Sequence, residues 1–451
     1  MKNEAKKRGG FTSSLGFILA ATGSAVGLGN LWKFPYIAGE GGGAIFVLIY
    51  LFFVLVLGVP IMLGEMAIGR KTKLNPIGAY HKLNKKFTFI GVIGVVCAFI
   101  ILSYYSVIGG WVLKYITTYV TNTHVTDASA YFKNFIQSPV EPVIWHIVFM
   151  ALTCIIVIGG VAKGIERASK IMLPLLFIFI IIIAIRSVTL PGAMEGVKYF
   201  VIPNFSHIDS ISEISKVLLA AMGQVFFSLS LGMGAIITYG SYLNKEVNLQ
   251  KSAFIIPTLD TLVAVLAGFA ILPAVFAFGF KPTAGPGLLF ETLPKVFESM
   301  PFGVIFGVLF FVLVFFAAIT SSVSLLEVVT SYCIDNLKMK RATASIIIAS
   351  IMTIIGIFAA LSFGPLADVK FFGNTIFDLM SFVSDKLLMP LGGFFMCIFV
   401  GYIWGIDNAS EEISNDGSIR FRWKKLFSII MKYIAPAIIL VIFITSFLPT
   451  K

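Results

Sequence analysis

The chain has 451 residues, of which 58% are hydrophobic, 44 are Phe and only 22 are Asp or Glu, with a formal net charge of +12. That is too little charge to cover a water-soluble fold of this size, and the apolar residues come in long blocks such as Ile171 to Ile185. A soluble enzyme is excluded, and the basic residues, set in short connectors rather than in a stripe, exclude a nucleic-acid surface.

The pattern is that of an all-α polytopic membrane protein forming one transmembrane domain over 1–451. Roughly 20 residues cross a bilayer core, and eleven blocks are long enough. They are predicted at 12–37, 43–69, 88–120, 143–160, 164–186, 215–242, 253–279, 298–334, 341–363, 375–404 and 426–448. Lys2, Lys6, Lys7 and Arg8 precede the first span, and 22 of the 34 basic residues fall on that side of the membrane if the N-terminus is cytoplasmic. The positive-inside bias then predicts a cytoplasmic N-terminus and, after eleven spans, an extracellular C-terminus. No cleavable signal segment is expected at the first block. The four Cys lie in or beside apolar blocks without a CxxC pair, and the four His lack ligand spacing, which argues against a soft-metal centre.

In the first span, Gly23 to Asn30 reads GSAVGLGN; in the sixth, Ser228 to Gly234 reads SLSLGMG. Either run alone is explained by close helix packing through small residues. Together they open the first helices of two five-helix sets, 11–186 and 215–404, with 426–448 as an extra span. Discontinuous helices at matched positions of inverted repeats mark the binding site of a secondary transporter, because freed backbone groups cannot face lipid. Charged residues deep in spans are few: Lys33, Glu65, Asp260 and Glu327. With the hydroxyls of Thr320 to Ser322, the three acids offer oxygen donors suited to a hard cation. Spacing alone does not separate sodium from potassium or protons.

The motifs GSAVGLGNLWKFPY, EGGGAIFVLIYLFF, GVPIMLGEMAIGR, SYYSVIGGW, GQVFFSLSLGMGAIITYGSY and AAITSSVS resemble the sodium:neurotransmitter symporter family, and most of all its eleven-helix bacterial amino-acid transporters. The resemblance implies no enzyme activity but sodium-coupled symport of hydrophobic, aromatic or large aliphatic L-amino acids by alternating access. It implies two sodium ions. One would use Ala25, Asn30, Ser228 and Asp260; the other Gly23, Val26, Ala317, Thr320 and Ser321. The substrate would lie among Ser24, Ala25, Val26, Gly27, Leu28, Gly29, Ile101, Tyr105, Phe227, Ser228, Ser230, Met233, Ser322 and Leu325. Gly27 stands where amine carriers resemble one another in having Asp, so a zwitterion that brings its own carboxylate is expected. Met233 stands where the leucine transporter has Phe, and its flexible thioether suits aromatic rings.

The resemblance also implies gates. Outside, Lys33 replaces the family's Arg and Ser381 its acid, with Asp378 three residues earlier; Lys lacks the planar fork of Arg, so an identical bidentate gate is not expected. Inside, Arg8 and Asp335 match the gate pair, with Phe11 and Tyr242 beside them. Gly164 and Pro174 match a fifth-helix segment that unwinds toward the second sodium. Asp260 supplies a fixed negative charge where chloride-dependent relatives use an anion, so chloride independence is expected, and a protonatable Asp260 would permit proton counter-transport. The implied partners are a small hydrophobic amino acid and the lipid bilayer, the implied place a bacterial cytoplasmic membrane, and a monomer can serve as the unit. The competing readings are a carrier of amines or amino-acid derivatives and, from a different class, a channel or membrane receptor.

Overall fold

A computed structural model describes residues 9–122, 125, 127–203, 211–280, 287–445 and 447. Nine helices among them are long and apolar enough to span: Ala44–Thr72, Lys85–Val120, Glu141–Ile158, Val161–Val188, Leu249–Ala277, Gly303–Asn336, Arg341–Leu361, Ile376–Ile403 and Lys424–Thr445. A tenth is a pair, Ser14–Ala25 and Gly29–Glu40, bent by 55°. The remaining predicted span is split into Ile211–Ser228 and Ala235–Ser241. In chain order these are spans 1 to 11, with spans 1 and 6 divided into halves a and b.

Proline decides much of the local geometry. π-helical turns occupy Gly29–Lys33, Val54–Gly58, Leu288–Thr292, Phe382–Leu388 and Ile430–Ile434. Each lies immediately before a helix with Pro at its start: Pro35, Pro60, Pro294, Pro390 and Pro436. Proline offers no N–H to the carbonyl four residues back and its ring crowds that carbonyl, so the preceding turn widens. Two further π turns, Val161–Glu166 and Phe399–Ile403, have no such proline.

Packing follows the two five-span sets. Span 3 packs on span 8, its counterpart in the other set; span 1a packs on span 7 and spans 6a and 6b on span 2; span 8 packs on span 4 and span 3 on span 9. Adding five to one contact gives the other, as an inverted repeat requires. The outward faces of spans 4, 5 and 9 are covered in exposed Ile, Leu and Val, for instance Ile155, Ile181, Ile185, Ile346 and Ile354, the surface a lipid solvent selects.

The connectors hold more helix than the sequence suggests. Pro76–Leu83, Ala128–Gln137, Met194–Val201, Leu293–Ser299 and Ile406–Ile413 are short helices outside the spans. The eighth span begins at Gly303 rather than 298, because Leu293–Ser299 is a helix of its own. Asp127 caps Ala128–Gln137 by accepting from Ser129 and Ala130 N–H, and Arg70, buried at the end of span 2, donates to Glu412 at 2.6 Å and to the Val247 carbonyl at 2.7 Å.

Candidate functional site

Span 1 opens at Val26, whose backbone is extended (φ −65°, ψ 109°). Span 6 opens at Leu229 to Gly234, where Ser230, Gly232 and Gly234 take φ of 53°, 78° and 77°. A left-handed backbone suits glycine but costs a β-carbon-bearing residue such as Ser230, so this break is held by its surroundings. Glu65 Oε1 accepts the Gly232 N–H at 2.9 Å, and Ser230 Oγ donates to the Ser24 carbonyl at 3.0 Å. The two breaks are thus tied to each other and to span 2.

The carbonyls freed in span 1 converge. Ser321 Oγ lies 3.4, 3.2 and 3.1 Å from the carbonyl oxygens of Gly23, Ser24 and Val26, and one hydroxyl proton cannot serve three acceptors. Thr320 Oγ1 bonds back to Phe316 and Ala317 carbonyls. Several hard oxygens therefore sit around one small volume, a donor set that suits a hard cation rather than zinc or copper. Among the described residues no cluster of three or more His, Cys, Asp or Glu could hold a metal.

A second oxygen cluster lies one turn away. Asn30 Oδ1 accepts the Gly27 N–H at 3.0 Å while its Nδ2 donates to Ser228 Oγ at 2.9 Å and Asp260 Oδ1 at 2.8 Å. Ser228 Oγ donates to Asp260 Oδ2 at 2.7 Å, and Tyr50 Oη reaches the same oxygen at 3.4 Å. Asp260 is fully buried and has no cationic side chain in an ion pair with it among the described residues. A buried carboxylate with only neutral donors is costly unless a cation joins it.

Between the clusters lies a cavity lined by Ser24, Ala25, Gly27, Leu28, Gly29, Asn30, Ile101, Tyr105, Phe227, Ser228, Ser230, Met233, Ser321 and Leu325. Twelve of the fourteen residues expected to line a substrate site are brought together here. Val26 and Ser322 are not among them. Val26 is turned into the core with its carbonyl toward Ser321, and Ser322 spends its hydroxyl on the Ala318 carbonyl at 2.9 Å, on a different face of span 8. Ser321 and Asn30 line the cavity instead. The Leu28 N–H donates to Tyr105 Oη at 3.1 Å. A β-carbon on Gly27 would lie 2.9 Å from Ser321 Oγ and 3.2 Å from Tyr105 Oη, so the gap between these two hydroxyls is open only because this residue is glycine.

Above the cavity, Lys33 Nζ sits 4.3 Å from the centre of the Phe227 ring. The charges that act on Lys33 are Asp385 and Lys386. Asp378, the acid singled out by sequence, is exposed and accepts from Thr375 Oγ1 at 2.7 Å at the start of its own helix. Asp385 lies seven residues on, two helical turns deeper, and takes Tyr104 Oη at 3.1 Å and Ser384 Oγ at 2.9 Å. Sequence reasoning missed Asp385, although it is the deeper of the two acids in the tenth apolar block and that depth was a legible signal.

At the basic end, Phe11 packs edge-on against Phe17, Tyr239 and Tyr242. Tyr242 Oη donates to Glu327 Oε1 at 2.5 Å, and Arg341 makes a two-pronged contact with Glu327 at 2.6 and 2.9 Å. Asp335 accepts from the Asn75 N–H at 3.0 Å and from Asn75 Nδ2 at 2.9 Å; Arg8 lies outside the described residues. Glu327, noted in sequence as an isolated deep acid, is thus the anchor of a network whose partner, Arg341, begins the next span. Gly164 lies within the wound turn Val161–Glu166, and Pro174 lies inside the same span.

The family model described as the sodium:neurotransmitter symporter family matches residues 8–133 and 127–451. The chain belongs to that family. It is 40% identical over 440 residues to the sodium-dependent transporter YhdH of Bacillus subtilis, covering 96% of each chain. A sodium-dependent transporter of Haemophilus influenzae is 38% identical over 465 residues, 99% of this chain and 100% of that one. Among solved structures, MhsT in complex with L-phenylalanine superposes with a TM-score of 0.89 at 43% identity, covering 98% of this chain and all of that one. This member of the sodium:neurotransmitter symporter family is therefore a multi-pass secondary active transporter of inverted-repeat architecture, and not an enzyme.

Proposed function

We propose that this symporter-family protein takes up hydrophobic L-amino acids, with aromatic side chains preferred, by coupling each to inward sodium flow. The observation that carries the reading is the cavity at the meeting of the two helix breaks: a polar pole at Gly27 to Asn30 and an apolar pole at Ile101, Phe227, Met233 and Leu325. Main-chain N–H groups and the Tyr105 hydroxyl suit a carboxylate, the carbonyls of Ala25 and Phe227 an ammonium, and the apolar pole a ring. A carrier of decarboxylated amines would need an acid where Gly27 leaves none. MhsT, whose structure holds L-phenylalanine, supports the choice of an aromatic ligand.

Sodium would occupy the two oxygen clusters. One is formed by Ala25, Asn30, Ser228 and Asp260, the other by Gly23, Val26, Ala317, Thr320 and Ser321. The Asp260 carboxylate provides a fixed countercharge beside the first ion, which is the physical basis for chloride independence. Sodium that favours the outward-facing, substrate-competent state raises substrate affinity, and linkage makes the effect reciprocal. We place the N-terminus in the cytoplasm of a bacterial cell, so that the Phe11, Tyr242, Glu327 and Arg341 network closes the inner side and Lys33, Phe227 and Asp385 the outer.

The test is scintillation proximity binding of labelled L-phenylalanine to the purified protein, competed by the other nineteen amino acids in sodium, potassium and choline. The expected result is binding in sodium alone, displaced by aromatic and large aliphatic amino acids. Equal binding in potassium would remove the coupling, and displacement by amines in preference to amino acids would give the site to another class of substrate.

A further inference from the structure

The π turn Val161–Glu166 at the start of span 5 lacks the proline that explains five others, and something else must hold it. Its last residue does. Glu166 Oε2 accepts the Thr12 N–H at 2.7 Å, while Oε1 accepts Thr12 Oγ1 at 2.6 Å and Ser13 Oγ at 3.2 Å. Lys170 Nζ, one turn on, lies 2.6 Å from Oε1. The Glu166 side chain is 1% exposed and fills the space beside Gly16, where a β-carbon would fall 2.0 Å from Oε1. Ser13 is also the N-cap of span 1a, accepting the Gly16 N–H at 2.9 Å. A carboxylate 154 positions from Thr12 thus braces the two residues that lead into span 1a, near the positive end of its dipole.

We propose that Glu166 is a latch that makes unwinding of the start of span 5 and release of span 1a one event. This is a positioning role that rests on the alternating-access reading above. The Glu166–Lys170 contact belongs to the next turn, 166–170, and holds only while that turn too is wound, because i and i+4 meet only on a helix. Pro174 denies the Lys170 carbonyl its usual donor, so the turn after it, 170–174, is weakened as well. Gly164 is packed so closely on the end of span 4 that a β-carbon there would lie 2.0 Å from the Ile156 carbonyl oxygen; the turn therefore either stays seated or leaves span 4 altogether. When it leaves, the carboxylate goes with it, and Thr12 and Ser13 lose three bonds at once. When span 1a leaves first, Glu166 keeps only Lys170. Each movement removes the partner that held the other in place, the condition for a two-state device.

Hydrogen–deuterium exchange on the full-length protein in nanodiscs tests the latch, comparing wild type with Glu166→Ala, Glu166→Gln and Thr12→Val. In sodium with L-phenylalanine, Glu166→Ala is expected to speed exchange of the segment 9–20 roughly tenfold. Thr12→Val keeps the main-chain bond and loses only the hydroxyl, so a rise of about two- to threefold is expected. In wild type, replacing sodium by potassium should deprotect 9–20 and 159–170 together, and Glu166→Ala should separate them. Apparent sodium affinity should fall about tenfold in Glu166→Ala as the inward-open state gains population, with Glu166→Gln intermediate. Unchanged protection of 9–20 in Glu166→Ala in the sodium condition would overturn the latch, as would the two segments still moving together in that variant. The first comparison is made in one salt, so it judges the latch even if wild type shows no response to sodium, a result that would count instead against the transport reading.

Discussion

Lys33 rests its ammonium 4.3 Å above the ring of Phe227, and Phe227 in turn lines the central cavity. A cation over an aromatic face is worth about 0.5–2 kcal/mol depending on desolvation, and here it presses the ring onto the site from the side opposite Arg341. Phe227 also lies against Gly29, where a β-carbon would come within 2.6 Å of the ring. The outer lid is therefore a stacked Lys and Phe with Asp385 as the counter-charge, a softer closure than a planar guanidinium on a carboxylate.

Replacing Lys33 with Met removes the cation and keeps the stem. Dissociation of labelled L-phenylalanine should quicken about three- to tenfold, while the sodium dependence of binding keeps its midpoint. Asp385→Asn should shift the off-rate in the same direction, and Asp378→Asn should leave it unchanged because that side chain is spent on Thr375. A stronger effect from Asp378 than from Asp385 would reverse the assignment.

Asp260→Asn keeps the size of the side chain and removes its charge. With three side chains converging on the carboxylate, the variant should still fold, and the sodium concentration for half-maximal substrate binding should rise at least about tenfold. Wild-type uptake should be the same with gluconate in place of chloride; dependence on chloride would show that Asp260 does not supply the missing anion.

Gly27→Ala forces a β-carbon to 2.9 Å from Ser321 Oγ and 3.2 Å from Tyr105 Oη. Affinity for the amino acid should drop about ten- to hundredfold with a melting temperature close to that of the wild type, since the strain falls on an open cavity. Direct binding by competition and thermal shift together check this.

Met233 bounds the apolar pole of the cavity. Met233→Phe should narrow it and turn the competition order from tryptophan toward leucine, by about 1–3 kcal/mol between the two ligands. An unchanged order would remove Met233 from the selectivity determinants.

Glu327→Gln leaves the Tyr242 hydrogen bond feasible but strips Arg341 of a carboxylate that is itself fully buried. The loss should destabilise the closed inner side by about 3 kcal/mol, toward the lower end for a buried pair because Arg341 is partly exposed. It should appear as faster labelling of a cysteine introduced in the inner pathway, with partial recovery in Glu327→Ala/Arg341→Ala.

Much of this molecule was legible in one dimension because lipid imposes its demands residue by residue. A block of apolar side chains long enough to cross, glycines and an asparagine at mid-depth, and proline at fixed places dictate spans, breaks and widened turns with no knowledge of neighbours. Twelve residues of the central cavity were named from motif register alone. What the sequence could not show is which groups meet across 100 to 350 positions. Asp385 rather than Asp378 accompanies Lys33 because two turns of span 10 separate them. Ser321 rather than Ser322 faces the site because 100° of helix rotation does, and Glu166 reaches Thr12 only once spans 1 and 5 are side by side. Composition and pattern follow from the solvent each residue needs; pairing of buried polar groups follows from how the helices pack, and only the tertiary structure decides that.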